Sequence, residues 1–384
     1  MFVQQYLPLL VYTFFIALSL IFFRGNSEDS DTSGRDVYID GVRGLAAVSV
    51  VATHAWRLAS EGSNYSFNFL LRENYGSLGV QVFFCITGFL FFSQLYSRPE
   101  GFNWNTFYRS RVRRLVPAYV ASFVFGVAII FAVGDWSAFK PAQLRHLSDM
   151  AFFGFKGNGN NLYVLGIEID RFFSVIWTLT YEIKFYLAFP FIVWACSTRR
   201  GENVALCIAI VILAYELFYT GKTFSGYFLT GALCAKYLKP LKVSDPARLA
   251  MAIIAASMVY FSLSSEFKSY GVERYFISSI LFASIVVAKP RILTIRPLTV
   301  LGDISYSVYL LHAPTLMLAG YILKSMLTGS AASPLQFVLI TFCAVALVFA
   351  ISYASYRLIE LPFLQKAKPA PSSISPAEQR TVSA

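Results

Sequence analysis

Arginine and histidine stand eleven residues apart in the apolar run DGVRGLAAVSVVATHAW, residues 40–56, as Arg43 and His54. At 3.6 residues per turn that spacing is about three whole turns, so on a helix both side chains leave one face, about 16 Å apart along the axis. An ionisable residue at the middle of a membrane helix costs about 2.5 to 3.5 kcal/mol on insertion scales. Two on one face make a polar track. Histidine takes up a proton near neutral pH and suits general-base catalysis, whereas the permanent charge and planar fork of arginine suit phosphate, carboxylate or a developing oxyanion. Asp40, three residues before Arg43, either holds the guanidinium as an (i, i+3) pair or is an ordinary helix-start carboxylate. The structural alternative for the track is that Arg43 snorkels to the headgroups and His54 satisfies a core hydrogen bond.

Such a track needs helices to enclose it, and the composition supplies them. Of 384 residues, 57% are hydrophobic and 14% charged, which points to an all-α, polytopic integral membrane protein rather than soluble domains. Windows of about 20 apolar residues predict about eleven transmembrane helices, centred near residues 13, 48, 86, 125, 184, 211, 230, 257, 281, 312 and 347. Residues 1–36 form an additional N-terminal helix with an acidic linker, 37–365 the membrane domain, and 366–384 a disordered, Ser/Pro/Ala-rich cytoplasmic tail. The first 23 residues lack a basic n-region and a small-x-small cleavage site, and are read as a helix rather than a signal peptide.

Lysine and arginine concentrate in alternate loops, around Arg98 to Arg114, Arg199 and Arg200, Lys236 to Arg248, and Lys289 to Arg296. The intervening loops are poorer or balanced, with Arg57 and Arg72 offset by Glu61 and Glu73. This pattern places the Arg109 to Arg114 region and the C-terminal tail in the cytoplasm, so the Arg43 helix runs outward toward His54. Only Arg24 to Asp36, net acidic, departs from it. The net charge of +11 is spread over short loops rather than one patch, which argues against nucleic acid. Five cysteines lie in or beside apolar segments with no CxxC pair and no histidine at ligand spacing, so they read as packing thiols and no metal is expected.

The segment IDGVRGLAAVSVVATH resembles the opening motif of the acyltransferase-3 family of membrane acyltransferases, with Arg, ten residues, then His. Further segments resemble that family in order: LGVQVFFCITGFL, with Thr87 where serine is common; RSRVRRLVPAY, with R-x-x-R at Arg111 and Arg114; WTLTYEIKFYLAFP; LGDISYSVYLLHAP; and YRLIELPF. These six motifs span residues 39 to 363. The resemblance implies a ten-helix core preceded by one extra helix. It also implies a bacterial inner-membrane O-acyltransferase moving an acyl group, usually acetyl, from cytoplasmic acyl-CoA to a sugar hydroxyl.

Acyl-CoA is then a donor substrate, and no tightly bound cofactor is expected. The acceptor would be a surface polysaccharide, lipopolysaccharide or exported glycoconjugate, as for O-antigen O-acetylases, or alternatively a small molecule. Expected partners are acyl-CoA, a glycan or glycolipid, and the lipid bilayer. By the same resemblance Arg111 and Arg114 grip the donor phosphates; lipid anchoring is the alternative. His54 would take the acceptor proton, and the Arg43 end of the track would face the donor.

Glu182, in an apolar stretch beside Trp177 and Tyr186, needs a partner. Arg43 or His54 could supply one, and pairing with His54 would orient its ring; a buried ion pair with Lys184 or with another helix is the alternative. His312 is either a polar contact to the glycan or a helix–helix hydrogen bond. Glu360 is expected to close a salt link, to Arg357 or the R-x-x-R region. His146 reads as a solvated loop histidine.

The rival class is a secondary transporter or flippase, but each motif occurs once, whereas transporters of that kind show weak internal repeats. No HExxH, GxSxG or GxxxxGK[ST] element is present. The charge pattern makes a prediction: alkaline phosphatase fused after Lys222 is active in cells, and fused after Lys242 it is not. Equal activity at both positions would break the assigned orientation.

Overall fold

The structure is a computed structural model that describes residues 2–24, 35–55, 58, 69–97, 102–155, 162–326 and 333–365. Arg57, Glu61, Arg98, most of the acidic linker and the tail from 366 onward lie outside the described residues. Among the described residues the chain is all-α apart from a hairpin of two two-residue strands. Its helices are α1 (Phe2–Phe22), α2 (Val37–His54), α3 (Phe69–Tyr96), α4 (Trp104–Val133), α5 (Leu144–Ala151), α6 (Ile176–Ala195) and α7 (Arg199–Tyr215). They continue with α8 (Ser225–Leu233), α9 (Asp245–Ser264), α10 (Val272–Ala288), α11 (Arg296–Met326), α12 (Pro334–Ser355) and α13 (Leu361–Gln365). π-helical turns at Glu216–Thr220, Cys234–Leu238 and Tyr356–Glu360 extend α7, α8 and α12.

Among the described residues, seven helical segments are long and apolar enough to cross a membrane: Glu73–Tyr96, Trp104–Val133, Ile176–Ala195, Arg199–Thr220, Asp245–Ser264, Arg296–Met326 and Leu335–Gln365. Four of the predicted spans fall short of that measure. In α1 the apolar part is Tyr6–Phe22, α10 has 17 residues, and α8 is nine residues before its π-turn. The 18-residue α2 carries Asp40, Arg43 and His54 instead of a uniform apolar surface.

The core is the seam between α2 and α11, which run parallel. Arg43 meets Gly302, and eleven residues on His54 meets His312. In α11, 78% of the apolar window is buried, whereas in α7 none is, so α11 is central and α7 peripheral. The seam is close because Gly302 has no side chain: a Cβ there would lie 2.1 Å from the Asp40 carbonyl oxygen.

Two helix-interior prolines tie α4 to this core. Proline has no N–H, so the carbonyl four residues before it loses its helical partner. The carbonyl freed by Pro314, that of Leu310, accepts from Ser122 of α4 at 2.9 Å. The one freed by Pro190, that of Tyr186, accepts from Tyr108 of α4 at 3.0 Å.

All four basic segments gather at the α2 N-terminal end of the bundle. Lys239 pairs with Asp36 at 2.7 Å, Lys289 donates to the Lys239 carbonyl, Lys236 pairs with Glu202, and Arg114 lines a cavity with Arg43. The opposite end is closed by Arg274, fully buried, which donates to Asn74 and to Ser262 at the end of α9.

The described residues between Asp135 and Arg171 fold back as a short hairpin and a helix. The hairpin Tyr163–Val164 with Ile167–Glu168 turns on Leu165 and Gly166, both at positive φ, and buries Val164, Leu165 and Ile169. Helix α5 follows the same path, with Met150 accepting from Tyr119 of α4 and His146 half-buried on its outer part.

Replacing Gly302 by Ala should destabilise the detergent-solubilised protein by about 1 to 3 kcal/mol, because the obstruction is backbone and cannot swing away. Gly271→Ala, where the nearest atom is 3.3 Å away, serves as control. Equal melting temperatures for the two variants would count against the close seam.

Candidate active site

The site is a track of polar groups inside the bundle with two distinct ends. At the basic end, the Arg43 Nε and Nη2 donate to the Gly302 carbonyl at 2.9 and 2.7 Å, and Nε also to Ser305 Oγ at 3.1 Å. Asp40 pairs with Arg43 at 3.2 Å, making the (i, i+3) contact that the spacing allowed. Asp40 is bridged by Arg35, at 2.6 Å, to Asp303 of α11, at 2.7 Å. Arg43 is 8% exposed, so its head is fastened to α11 and does not snorkel to the surface.

Arg43 forms one wall of a cavity between α2, α3, α4, α6 and α11. Arg111 and Arg114 from α4 and Glu182 and Tyr186 from α6 face the same space. Three turns of helix and the α2–α11 seam thus bring together residues far apart in the chain. The Arg111 guanidinium lies over the Phe91 ring at 4.6 Å and the Phe107 ring at 5.3 Å. Its buried Nε has no hydrogen-bond partner among the described residues, and Arg114 makes no ion pair or hydrogen bond with any of them. Unlike Arg43, these two cations are presented to the cavity.

Glu182 accepts from Tyr186, one turn later on α6, and the charges of Arg114, Arg111 and Arg43 act on it. It therefore does not pair with His54, and Lys184 lies over the Tyr181 ring instead, at 5.4 Å. Trp177 is likewise absent from the cavity. Five residues before Glu182 it points about 140° away around the helix, and packs edge-on to Tyr181, Phe224 and Tyr270. Glu360 accepts from Ser307 on the far side of α11 and makes no salt link with Arg357 or the R-x-x-R arginines. It is buried in the π-turn after α12, with Ser355 3.0 Å from the same Ser307 hydroxyl.

The other end of the track holds His54 and His312, with Nδ1 of His54 2.8 Å from Nε2 of His312. Their ring planes are 11° apart with centroids at 5.0 Å, so the rings meet edge to edge through these nitrogens, and His312 is fully buried. Between the two ends stands Tyr309, whose hydroxyl is 2.6 Å from Thr178 Oγ1 and whose ring is 6.2 Å from His312. The Thr178 hydroxyl donates to the Val175 carbonyl, so the Tyr309 hydroxyl is the donor of that pair.

Ser305, Tyr309 and Thr178 were not among the residues singled out from the sequence. Their signal was available: Ser305, Tyr309 and His312 fall at i, i+4 and i+7 on one face of α11. The Arg35–Asp303 link had no such signal, because it joins residues 268 apart.

Residues 36–357 match the acyltransferase domain of the acyltransferase-3 family. The chain belongs to that family. The curated proteins it resembles include an O-acetyltransferase, OatA, of Staphylococcus aureus, 26% identical over 376 residues, covering 86% of this chain and 58% of that protein. A peptidoglycan O-acetyltransferase, OatA, of Listeria monocytogenes is 24% identical over 84% of this chain and 55% of that protein. A putative peptidoglycan O-acetyltransferase, YrhL, of Bacillus subtilis is 25% identical over 73% and 48%. This acyltransferase-3 chain spans about half the length of those relatives. No solved structure matches it. The family expectation therefore holds; of these three relatives two carry peptidoglycan in their names and none carries O-antigen.

Within this site, Asp40 and Asp303 separate by burial. Removing one partner of a buried pair costs about 3 to 5 kcal/mol, an exposed one about 0 to 1. Asp40→Asn should therefore lower the melting temperature markedly, and Asp303→Asn, at 29% side-chain exposure, only slightly. The reverse order in a thermal unfolding assay would refute the assignment of Asp40 as the anchor of Arg43.

Proposed function

We propose that this chain is the membrane-embedded part of an O-acetyltransferase that takes acetyl from cytoplasmic acetyl-CoA and delivers it to a sugar hydroxyl of a peptidoglycan-type glycan on the opposite face. The observation that carries the reading is the pair of guanidiniums, Arg111 and Arg114, that make no ion pair among the described residues and face the same cavity as Arg43, at the basic-loop end of a track that leads to His54. Planar guanidiniums bind phosphate through charge-assisted forks, and coenzyme A carries its phosphates at one end and its thioester at the tip of a flexible arm.

The two ends of the track are about 16 Å apart, eleven residues at 1.5 Å rise. Phosphates held at the arginines place the acyl group toward the histidines. His54 takes the proton of the attacking hydroxyl, the new C–O bond forms as the oxyanion develops, and collapse breaks the C–S bond. The departing thiolate receives the proton from His54. At that separation Arg43 and Glu182 act on the donor and its cavity rather than on the reacting carbonyl.

In this reading α1, α2, α8 and α10 cross the bilayer with the seven longer spans, giving eleven. Alternate basic loops and the C-terminus then face the cytoplasm of a bacterial inner membrane. The relatives' names support peptidoglycan as the acceptor class.

Two variants separate the roles. Charge-assisted hydrogen bonds are worth about 1.5 to 3 kcal/mol each, so Arg111→Ala or Arg114→Ala should raise the KM for acetyl-CoA about 10- to 100-fold. His54→Ala should lower kcat about 10²- to 10⁴-fold. The assay is transfer of labelled acetyl from acetyl-CoA in membranes, with mass spectrometry of the cell-wall glycan from a complemented deletion strain. If expressed His54→Ala still restores glycan esters to the wild-type level, the proposed chemistry fails.

A further inference from the structure

The chain holds three histidines, His54, His146 and His312, and two of them touch. The contact has a direction, which follows from the far side of His312. Its Nδ1 lies 3.0 Å from the Val308 carbonyl oxygen, one turn earlier on α11. A carbonyl only accepts, so Nδ1 of His312 carries the proton. In a neutral ring Nε2 is then a lone pair, and that lone pair faces Nδ1 of His54 at 2.8 Å. His54 must therefore donate from Nδ1, which leaves Nε2 of His54 unprotonated.

We infer that His312 is a positioning residue that, through the Val308 carbonyl, fixes His54 in the Nδ1–H tautomer and so makes Nε2 of His54 the proton-accepting atom. This goes beyond the proposed acetyl transfer, and rests on that reading only for the kinetic half of its test. The arrangement does the work that a buried carboxylate does in a Ser-His-Asp triad, where holding the imidazole in the wrong tautomer costs about 10⁴ in kcat. Here the orienting group is a neutral ring, so the pair gains no fixed negative charge inside the bilayer, where a carboxylate would be costly.

The burial of the pair supports the assignment. His312 is fully buried and His54 half-buried, so the ring that orients is the enclosed one and the ring that reacts is the one with access. The hydrogen bonds run in sequence from the Val308 carbonyl through His312 to His54, from α11 across the seam to α2. During transfer the acceptor O–H proton goes to Nε2 of His54, giving an imidazolium whose Nδ1–H still donates to His312. The proton leaves again from Nε2 to the thiolate, so His312 changes neither its protonation nor its tautomer.

Two measurements test this on the full chain in detergent. In ¹⁵N-histidine spectra, with three imidazoles to assign, both His54 and His312 should show the Nδ1–H tautomer. Replacing His312 by Leu should release His54 from it. Finding His54 as the Nε2–H tautomer in the unmodified chain overturns the inference, whatever the protein catalyses.

The second measurement is kinetic. His312→Leu should lower kcat at least about 100-fold, with the KM for acetyl-CoA changed less than about threefold. His312→Gln, whose amide oxygen can take the place of Nε2 as acceptor, should recover at least about tenfold of that loss. A Leu variant as active as wild type, a change confined to KM, or equal losses in Leu and Gln would each overturn the positioning role. If the wild-type chain transfers no acetyl while its spectra show the tautomers expected, the acetyl-transfer reading fails and the orientation of His54 stands.

Discussion

The interaction on which the rest depends is the burial of the Arg43 guanidinium in the seam between α2 and α11. A buried cation is costly unless it is hydrogen-bonded and an opposite charge is close. Gly302 and Asp40 supply both to the Nε and Nη2 side of Arg43 at one place. The missing side chain at Gly302 lets its carbonyl accept two Arg43 bonds, and Asp40 stands on the next turn of α2 with its second oxygen on Arg35. The same contact sets the register of the two parallel helices, and that register carries His54 to His312.

From that anchoring follows a division of the bundle interior. The basic end collects Arg43, Arg111 and Arg114 against Glu182, with Phe91, Phe107 and Tyr186 as walls. Aromatic faces suit this position because they attract the guanidinium without consuming its N–H donors, which stay available to an anion. At the histidine end the two rings and a backbone carbonyl make polar contacts with one another. The cationic and imidazole ends thereby lie about three helical turns apart. Tyr309 and Thr178 are the polar groups between them.

Helix α4 serves both ends without belonging to the central seam. It brings Arg111 and Arg114 to the cavity, and it is fastened by hydroxyls to carbonyls that Pro190 and Pro314 leave unused. Prolines that would weaken isolated helices become attachment points here, because the freed carbonyl needs a donor wherever water is excluded. The described parts of the 135–171 segment reinforce the same helix through Tyr119 on Met150, and are themselves closed by the Leu165 carbonyl on the Asp135 N–H.

Local regularities determined much of this protein in advance. Apolar length predicted helices, and charge alternation grouped the basic loops that the fold gathers at one end. The eleven-residue spacing put Arg43 and His54 on one face because helical periodicity is a property of the backbone. The Asp40–Arg43 pair was legible for the same reason, lying within one turn. What only tertiary structure decided were contacts between distant segments. His54 meets His312 rather than Glu182, Glu360 meets Ser307 rather than an arginine, and Trp177 leaves the site that Tyr186 enters. Each depends on the rotation and close approach of packed helices, set by Gly302 and its counterparts, and periodicity along one strand of chain holds no information about which face of a neighbour it will meet.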